Sequence, residues 1–515
     1  MGILRRSLLT LLALLVLAPP MLAQERGGRA DRAQPTKPEN RTQDSAPPSG
    51  PGVLRLLPPD AVSDKEITVG GRTIAYSATA GTLPLFDHSG ERIAAVFYTA
   101  YVAKGDAARR PVTFVFNGGP CAASAYLNLG AVGPRVVEFG ASGTDGAAAK
   151  LADNPDSWLA FTDLVLIDPI GTGWSRTAKP DGENSFWGVR ADADVIAKTI
   201  ALYVAKNSRA ASPKYLLGES YGGFRAAKVA RALQNDQGIV VSGIVMASPL
   251  LETAFLWGSG QYALGAALNF PSLVAAELER TGKFTAAALE QGERFAMTEY
   301  LTTLAGPAPT GERGKAFYGR VAELTGLPVD VVARTRGFVR NAYLAQLRAH
   351  GQTSSLYDAT IAVPDPYPEN LSWRGADPVL DGFSRALAGA YVGYARDELG
   401  FKTDMTYHLL ASEVAGKWQW GDRREQPGVS DDLRNLLSIN PSFRLLVAHG
   451  RTDLVTPYGV SKYVLDHLPD MGTKDSGEAQ RTQLKVYRGG HMFYFHKQAR
   501  RAFTADAKTF YQGTQ

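Results

Sequence analysis

The sequence predicts an α/β fold: a mostly parallel sheet covered by helices on both faces, interrupted by a mainly helical insertion. Short apolar runs alternate with helical patterns up to about residue 250 and resume near 443, the rhythm of strands joined by crossover helices. Residues 251–415 break that rhythm with successive helical patterns. Before the break stands Gly218-Glu219-Ser220-Tyr221-Gly222, a G-x-S-x-G turn with an apolar strand before it and a helical run, Phe224 to Arg231, after it. Such a junction holds a serine hydroxyl clear of the backbone at a helix N-terminus. Glycine on either side removes Cβ atoms that so tight a turn would force together.

Each element follows from local patterning. Met1 to Arg6 is short and basic, and 7–19 is apolar but too short to span a bilayer comfortably. Residues 1–23 are expected to be a signal peptide cleaved after Met21-Leu22-Ala23, with an uncleaved anchor as the alternative because Met21 is large for that site. Cleavage would leave no stable membrane span and an exported protein, periplasmic or secreted. Residues 24–53, rich in Arg, Pro, Gln, Ser and Gly, read as a disordered linker. The α/β core is expected over 54–250 and 416–515, with a helical cap over 251–415. Strands are expected at 73–80 and 92–102, separated by Asp87-His88-Ser89-Gly90, and then at 111–116, 164–167, 243–248, 443–448 and 483–487. A helix is expected over 187–207, and the insertion carries helical patterns at 273–281, 285–304 and 340–350 with a Pro-rich patch at 363–368.

Composition narrows the function. The net charge is +5, or +3 once Arg5 and Arg6 are removed with residues 1–23, and no dense basic run interleaves with aromatics, so nucleic-acid binding is not supported. The single cysteine, Cys121, excludes an intramolecular disulfide, and its place beside a glycine run reads as packing. The serine chemistry calls for no metal and no cofactor.

A serine nucleophile needs a base, and the base an orienting acid, in the chain order Ser, Asp or Glu, His when the serine sits on such an elbow. Of seven histidines, His88 precedes the elbow, His350 and His408 lie in the insertion, His467 in a helical stretch and His496 in the final helix. His449 ends a strand. His491 follows the last strand on the glycine-bearing loop Arg488-Gly489-Gly490, where the base belongs. Asp453, just past the strand 443–448, is the candidate acid over Asp466, Asp470 and Asp475, which fall in helical or polar loop sequence. Asp168 also ends a strand but precedes Ser220, and reads as a turn or pocket residue. An oxyanion would be met by the N–H of Tyr221 and by a second N–H from the loop Asn117-Gly118-Gly119-Pro120.

Taken together, Asn117-Gly-Gly-Pro120, Asn154-Pro-Asp-Ser-Trp158, Asp168-Pro-Ile-Gly-Thr-Gly-Trp-Ser175, the Ser220 elbow and Gly490-His491-Met492 occur in the order found in serine carboxypeptidases. From about residue 65 to 512 the chain resembles that family, as a bacterial-type exported member. The resemblance implies an α/β-hydrolase fold and hydrolysis of the last peptide bond of a peptide with a free C-terminus, through an acyl-enzyme. It implies Ser220 as nucleophile, His491 as base, Asp453 as orienting acid, Gly119 and Tyr221 as oxyanion donors, and Asn117 and Glu219 as ligands of the substrate carboxylate. There are departures. Cys121 stands where the family motif continues with glycine, the family's disulfides are absent, and Ala131 replaces a second glutamate that commonly pairs with the elbow glutamate. That loss makes an esterase or acyltransferase on the same scaffold the competing expectation, ahead of a non-catalytic binding protein.

Overall fold

The computed structural model describes residues 50–106, 108–349, 351–370, 375–421, 426–469 and 481–513. The expected signal peptide, most of the expected linker, and His350, Asp470 and Asp475 lie outside the described residues.

A ten-stranded sheet organises the chain. Its principal strands are β1 (Ala61–Val69), β2 (Arg72–Phe86), β3 (Arg92–Ala103), β4 (Val112–Phe116), β5 (Asp163–Ile167), β6 (Lys214–Glu219), β7 (Gly243–Ala247), β8 (Arg444–Gly450) and β9 (Thr482–Tyr487). They lie in the order β1-β2-β3-β5-β4-β6-β7-β8-β9, and a short strand, Arg176–Thr177, pairs on β3. From β5 to β9 every pairing is parallel, and the β1–β2–β3 meander closes one edge antiparallel. The turn 87–90 joins β2 to β3 as its Asp-His-Ser-Gly sequence requires: Asp87 Oδ1 accepts from the N–H groups of Ser89 and Glu91.

The parallel strands are near-continuous apolar runs because both faces are covered. In β5, Leu164 and Leu166 belong to the core beneath the C-terminal helix, while Val165 and Ile167 point to the other face. On that second face pack α1 (Val189–Lys206) and α2 (Tyr221–Asp236). Phe503, Ala507 and Phe510 of α6 (Lys497–Gln512) fill the first.

Residues 251–415 run between β7 and β8 and pack in two ways. Helix α3 (Ala263–Arg280) and the helices to residue 349 form a separate apolar cluster around Phe270, Tyr300, Phe317 and Tyr343. By contrast, Leu387, Tyr391, Phe401 and Tyr407 enter the main core, and Leu410 bridges to Ala122. The long pattern over 285–304 resolves into Ala286–Phe295, a π-turn and Leu301–Ala305. Two small antiparallel ribbons were not legible as strands: Arg135–Phe139 with Ala149–Asp153, and Gln352–Ser354 with Ala362–Pro364 at the Pro-rich patch. Helices α4 (Ser430–Ile439) and α5 (Tyr458–Asp466) flank β8 in the chain.

Candidate active site

The chain turns from β4 outward to β5 and then back to β6 on the other side of β4, so the loops after β4 and β6 meet at the point where strand order reverses, where open parallel sheets bind ligands. Phe116 pairs in register with Gly218, which brings Asn117 and Glu219 side by side at the strand ends. Ser220 follows with φ +59° and ψ −126°, a left-handed backbone that a non-glycine residue adopts only where its surroundings fix it. Those surroundings are clear. Ser220 N–H donates to Ala247 O at 2.9 Å, while its carbonyl accepts from Gly223 N and Leu250 N at 2.9 and 3.0 Å. The glycines are required by close approach: a Cβ on Gly222 would lie 2.6 Å from Phe116 O. On Gly118 it would lie 2.5 Å from both Glu219 O and Tyr221 N. The Gly118-Gly119 backbone thus runs directly against the serine turn, and Gly119 and Tyr221 sit on adjoining segments at the N-terminus of α2, the positive end of its dipole.

Asp453 and His491 stand on the loops after β8 and β9. Both are buried, and His491 Nδ1 lies 2.8 Å from Asp453 Oδ2. Asp453 Oδ1 accepts the N–H groups of Val455 and Thr456 at 2.7 and 3.0 Å. Burial alone would raise the Asp453 carboxyl, but the facing His491 and these donors outweigh it and hold the group below the usual carboxylate range. Burial likewise disfavours imidazolium at His491, and here the carboxylates of Asp453 and then Glu219 reverse the balance and raise the imidazole above its ordinary value. The backbone ties the two halves of the site together: Ser248, just past β7, donates its hydroxyl to His491 O at 2.7 Å. The Ser220 hydroxyl forms no hydrogen bond among the described residues.

Glu219 is buried beneath the elbow. Its Oε2 accepts from Asn117 Nδ2, and its Oε1 accepts from Tyr494 Oη at 3.0 Å. Asn117 is oriented by Leu127 N–H, which donates to Oδ1 at 3.0 Å and so turns the amide nitrogen to Glu219. Burial, partly offset by His491 and Tyr494, pushes the Glu219 carboxyl up to about 7.

Other sequence candidates fall elsewhere. His449 is buried at the end of β8 with Nε2 2.8 Å from Ser461 Oγ, and burial pushes its imidazole down to about 4. His467 and His496 cap helices. Asp168 accepts Ser124 N–H at 2.7 Å, and Ser175 Oγ donates to its carbonyl at 2.6 Å, which organises the turn 168–175. Burial pushes the Cys121 thiol up to about 11, so it stays protonated and unreactive at neutral pH.

Four participants were not found from sequence. Thr456 Oγ1 lies 2.8 Å from Asp453 Oδ2 and 3.1 Å from His491 Nδ1. Tyr357 O accepts the His491 N–H, and its ring meets the imidazole edge-on at 5.4 Å. Arg225, on α2, donates to the carbonyls of Asn117 and Pro120 and pairs with buried Asp192 at 2.6 Å, clamping the glycine loop from below. Tyr494 reaches Glu219 from the loop after His491. Thr456 and Tyr494 were signalled only by proximity to Asp453 and His491, Arg225 only by its place one turn along the elbow helix, and Tyr357 by nothing in the sequence. Two surface cavities, of about 1010 and 500 Å³, are lined by none of Ser220, Asp453 and His491, so side-chain geometry rather than cavity size locates the site.

A parallel sheet of this order with a serine on a strained strand-to-helix turn is an α/β-hydrolase fold. The family model described as serine carboxypeptidase matches residues 79–255, which include the Asn117 loop and the Ser220 elbow. A curated relative, serine carboxypeptidase-like 35 of Arabidopsis thaliana, is 25% identical over 169 residues, which is 31% of this chain and 34% of the relative. Over residues 79–255 the chain is similar to the serine carboxypeptidase family. It spans about a third of the length of that curated relative. Among solved structures, it is similar to proline iminopeptidase from Mycobacterium smegmatis at 13% identity, covering 88% of this chain and 99% of the other, with a TM-score of 0.34. It is also similar to a carboxyl esterase from Bacillus coagulans at 12% identity, covering 84% and 98%, with a TM-score of 0.36. The fold is read from strand order and elbow, not from these superpositions.

Proposed function

We propose that this protein is a serine-type carboxypeptidase that releases the C-terminal residue of peptides through an acyl-enzyme. The observation that carries this reading is the buried Glu219–Asn117 pair beside the elbow serine. A carboxyl group pushed up to about 7 by burial can keep its proton and donate to a substrate carboxylate, which an ionised glutamate would repel. Asn117 has a second amide hydrogen for the same anion.

In this reading the Ser220 hydroxyl turns onto His491 Nε2. His491 takes its proton as Oγ attacks the scissile carbonyl. The tetrahedral oxyanion is met by the N–H groups of Gly119 and Tyr221, and Asp453 holds the imidazole and favours its charged form. His491 then gives the proton to the departing amine, and the C–N bond breaks to leave an ester on Ser220. Water, deprotonated by His491, hydrolyses that ester and restores the serine. The helices of 251–415 serve as a cap that shapes the acyl side. Export to the periplasm or beyond is proposed from the N-terminal segment.

A second reading, esterase or acyltransferase, draws on the two donors to Glu219, which favour its ionised form and weaken carboxylate binding as pH rises. N-blocked dipeptides with a free C-terminus and with an amidated C-terminus, alongside a neutral ester, separate the readings. Cleavage of the free acid, lost in Ser220→Ala, supports the carboxypeptidase. Ester turnover with no cleavage of the free acid between pH 4 and 8 overturns it.

A further inference from the structure

Glu219 is reached by an element that the proposed chemistry does not use. After His491 the chain makes a short 3₁₀ turn, Phe493–Phe495, that places the Tyr494 ring in the core, and its hydroxyl donates to Glu219 Oε1 at 3.0 Å. The ring has one position available. It packs at the edges of Phe493 and Phe495, with centroids 5.9 and 5.1 Å away, and lies so close to Gly130 that a Cβ there would come within 2.6 Å of Cε2. The facing segment, Asn128-Leu-Gly-Ala-Val132, is buried and carries no ionisable side chain. Around Glu219 the titratable groups are therefore His491 and Asp453 from the loops after β9 and β8, Tyr126 after the glycine loop, and Tyr494 itself. Asn117 supplies the only other side-chain donor to the carboxyl among the described residues.

We propose that Tyr494 is a positioning residue that sets the proton affinity of Glu219, and with it the pH range over which substrates with a free carboxylate bind. This rests on the reading of Glu219 as a ligand of that carboxylate. The phenol is buried and faces a carboxyl group, both of which keep it protonated, so it is a constant donor. A donor to the ionised form stabilises that form, so Tyr494 opposes the effect of burial and keeps Glu219 titrating near neutrality instead of remaining an acid well above it. With Asn117 on the other oxygen, it also fixes the plane of the carboxyl group, which determines where the glutamate's proton can point.

The test compares wild type with Tyr494→Phe, which keeps the ring and removes the hydroxyl, and with 3-fluorotyrosine at position 494, a stronger donor of nearly the same shape. Two readouts are taken. The first is the Glu219 carboxyl titration by difference infrared spectroscopy in the Ser220→Ala background, with Glu219→Gln assigning the band. The second is the pH at which the kcat/KM ratio of a free-acid dipeptide to a neutral ester falls by half. Removing one hydrogen bond to a charged group should raise both midpoints by about one pH unit in Tyr494→Phe, and fluorotyrosine should lower them. An unmoved infrared midpoint in both folded variants overturns the proposal. An infrared midpoint that moves while the activity ratio stays fixed upholds Tyr494 as the residue that tunes Glu219 and overturns Glu219 as the carboxylate ligand.

Discussion

Glu219→Gln separates the proposed carboxylate-binding role of this residue from the proposed serine chemistry beside it. The substituted side chain would retain a carbonyl oxygen toward Asn117 Nδ2, since Leu127 N–H fixes the Asn117 amide. Its new –NH₂ group would face Tyr494 Oη, which can accept after its hydroxyl turns away. Under the proposed role the variant should donate to a substrate carboxylate at every pH, and wild type only while Glu219 holds its proton, that is, below about 7. For wild type the free-acid to ester ratio of kcat/KM should fall about tenfold per pH unit above that value. Titration of His491 affects both substrates and cancels in the ratio, so Glu219→Gln should give a flat line. Stability offers an independent arm. Because the folded-state value lies above the ordinary carboxyl value of 4.5, the folded protein retains a proton that the unfolded chain releases. Wild-type stability should therefore fall as pH rises from about 4.5 to about 7, by a total of ~3 kcal/mol, and then level off. Urea midpoints measured across that window should show this slope in wild type and lose it in Glu219→Gln. Parallel ratio profiles for the two proteins would refute the assignment of Glu219 to the carboxylate, and parallel stability profiles would refute its burial as a titrating group.

Three further outcomes follow from the same geometry. Arg225→Met leaves the Asp192 carboxylate buried without its partner and should cost about 3–5 kcal/mol by urea denaturation, with much of that recovered in the Asp192→Asn, Arg225→Met double variant. Gly118→Ala forces a methyl group against Glu219 O and Tyr221 N, and should lower kcat on free-acid peptides and esters alike by at least about a hundredfold, the scale of losing one oxyanion donor. Cys121 should resist thiol reagents at pH 8 in the folded protein and label only on unfolding, with activity unchanged until then, as read by mass spectrometry of the intact chain.

Much of this site is readable from the order of residues alone. The elbow carries its own signature because a serine at positive φ between close-packed backbones needs glycine two residues to either side, and Asn117-Gly118-Gly119 is legible for the same close approach. His491 and Asp453 could be chosen because parallel strands deliver their loops to one edge of the sheet, so position after a strand predicts position in space. His449 shows the limit of that rule. It ends the same strand that precedes Asp453, yet its ring turns to Ser461 on α5, and only side-chain packing determines that direction.

By itself, then, the sequence determined the strand rhythm, the serine turn and the order of the candidate site residues, all of which are written in local propensity and in the backbone demands of single turns. Tertiary structure alone decided that Tyr494 would meet Glu219 across 275 positions of chain, that Arg225 would clamp the glycine loop, and that Leu387 to Tyr407 of the insertion would join the main core. Such contacts leave no periodicity behind. They arise from which faces the folded sheet brings together, and their chemistry depends on burial, which turns an ordinary glutamate into one that holds its proton to about pH 7.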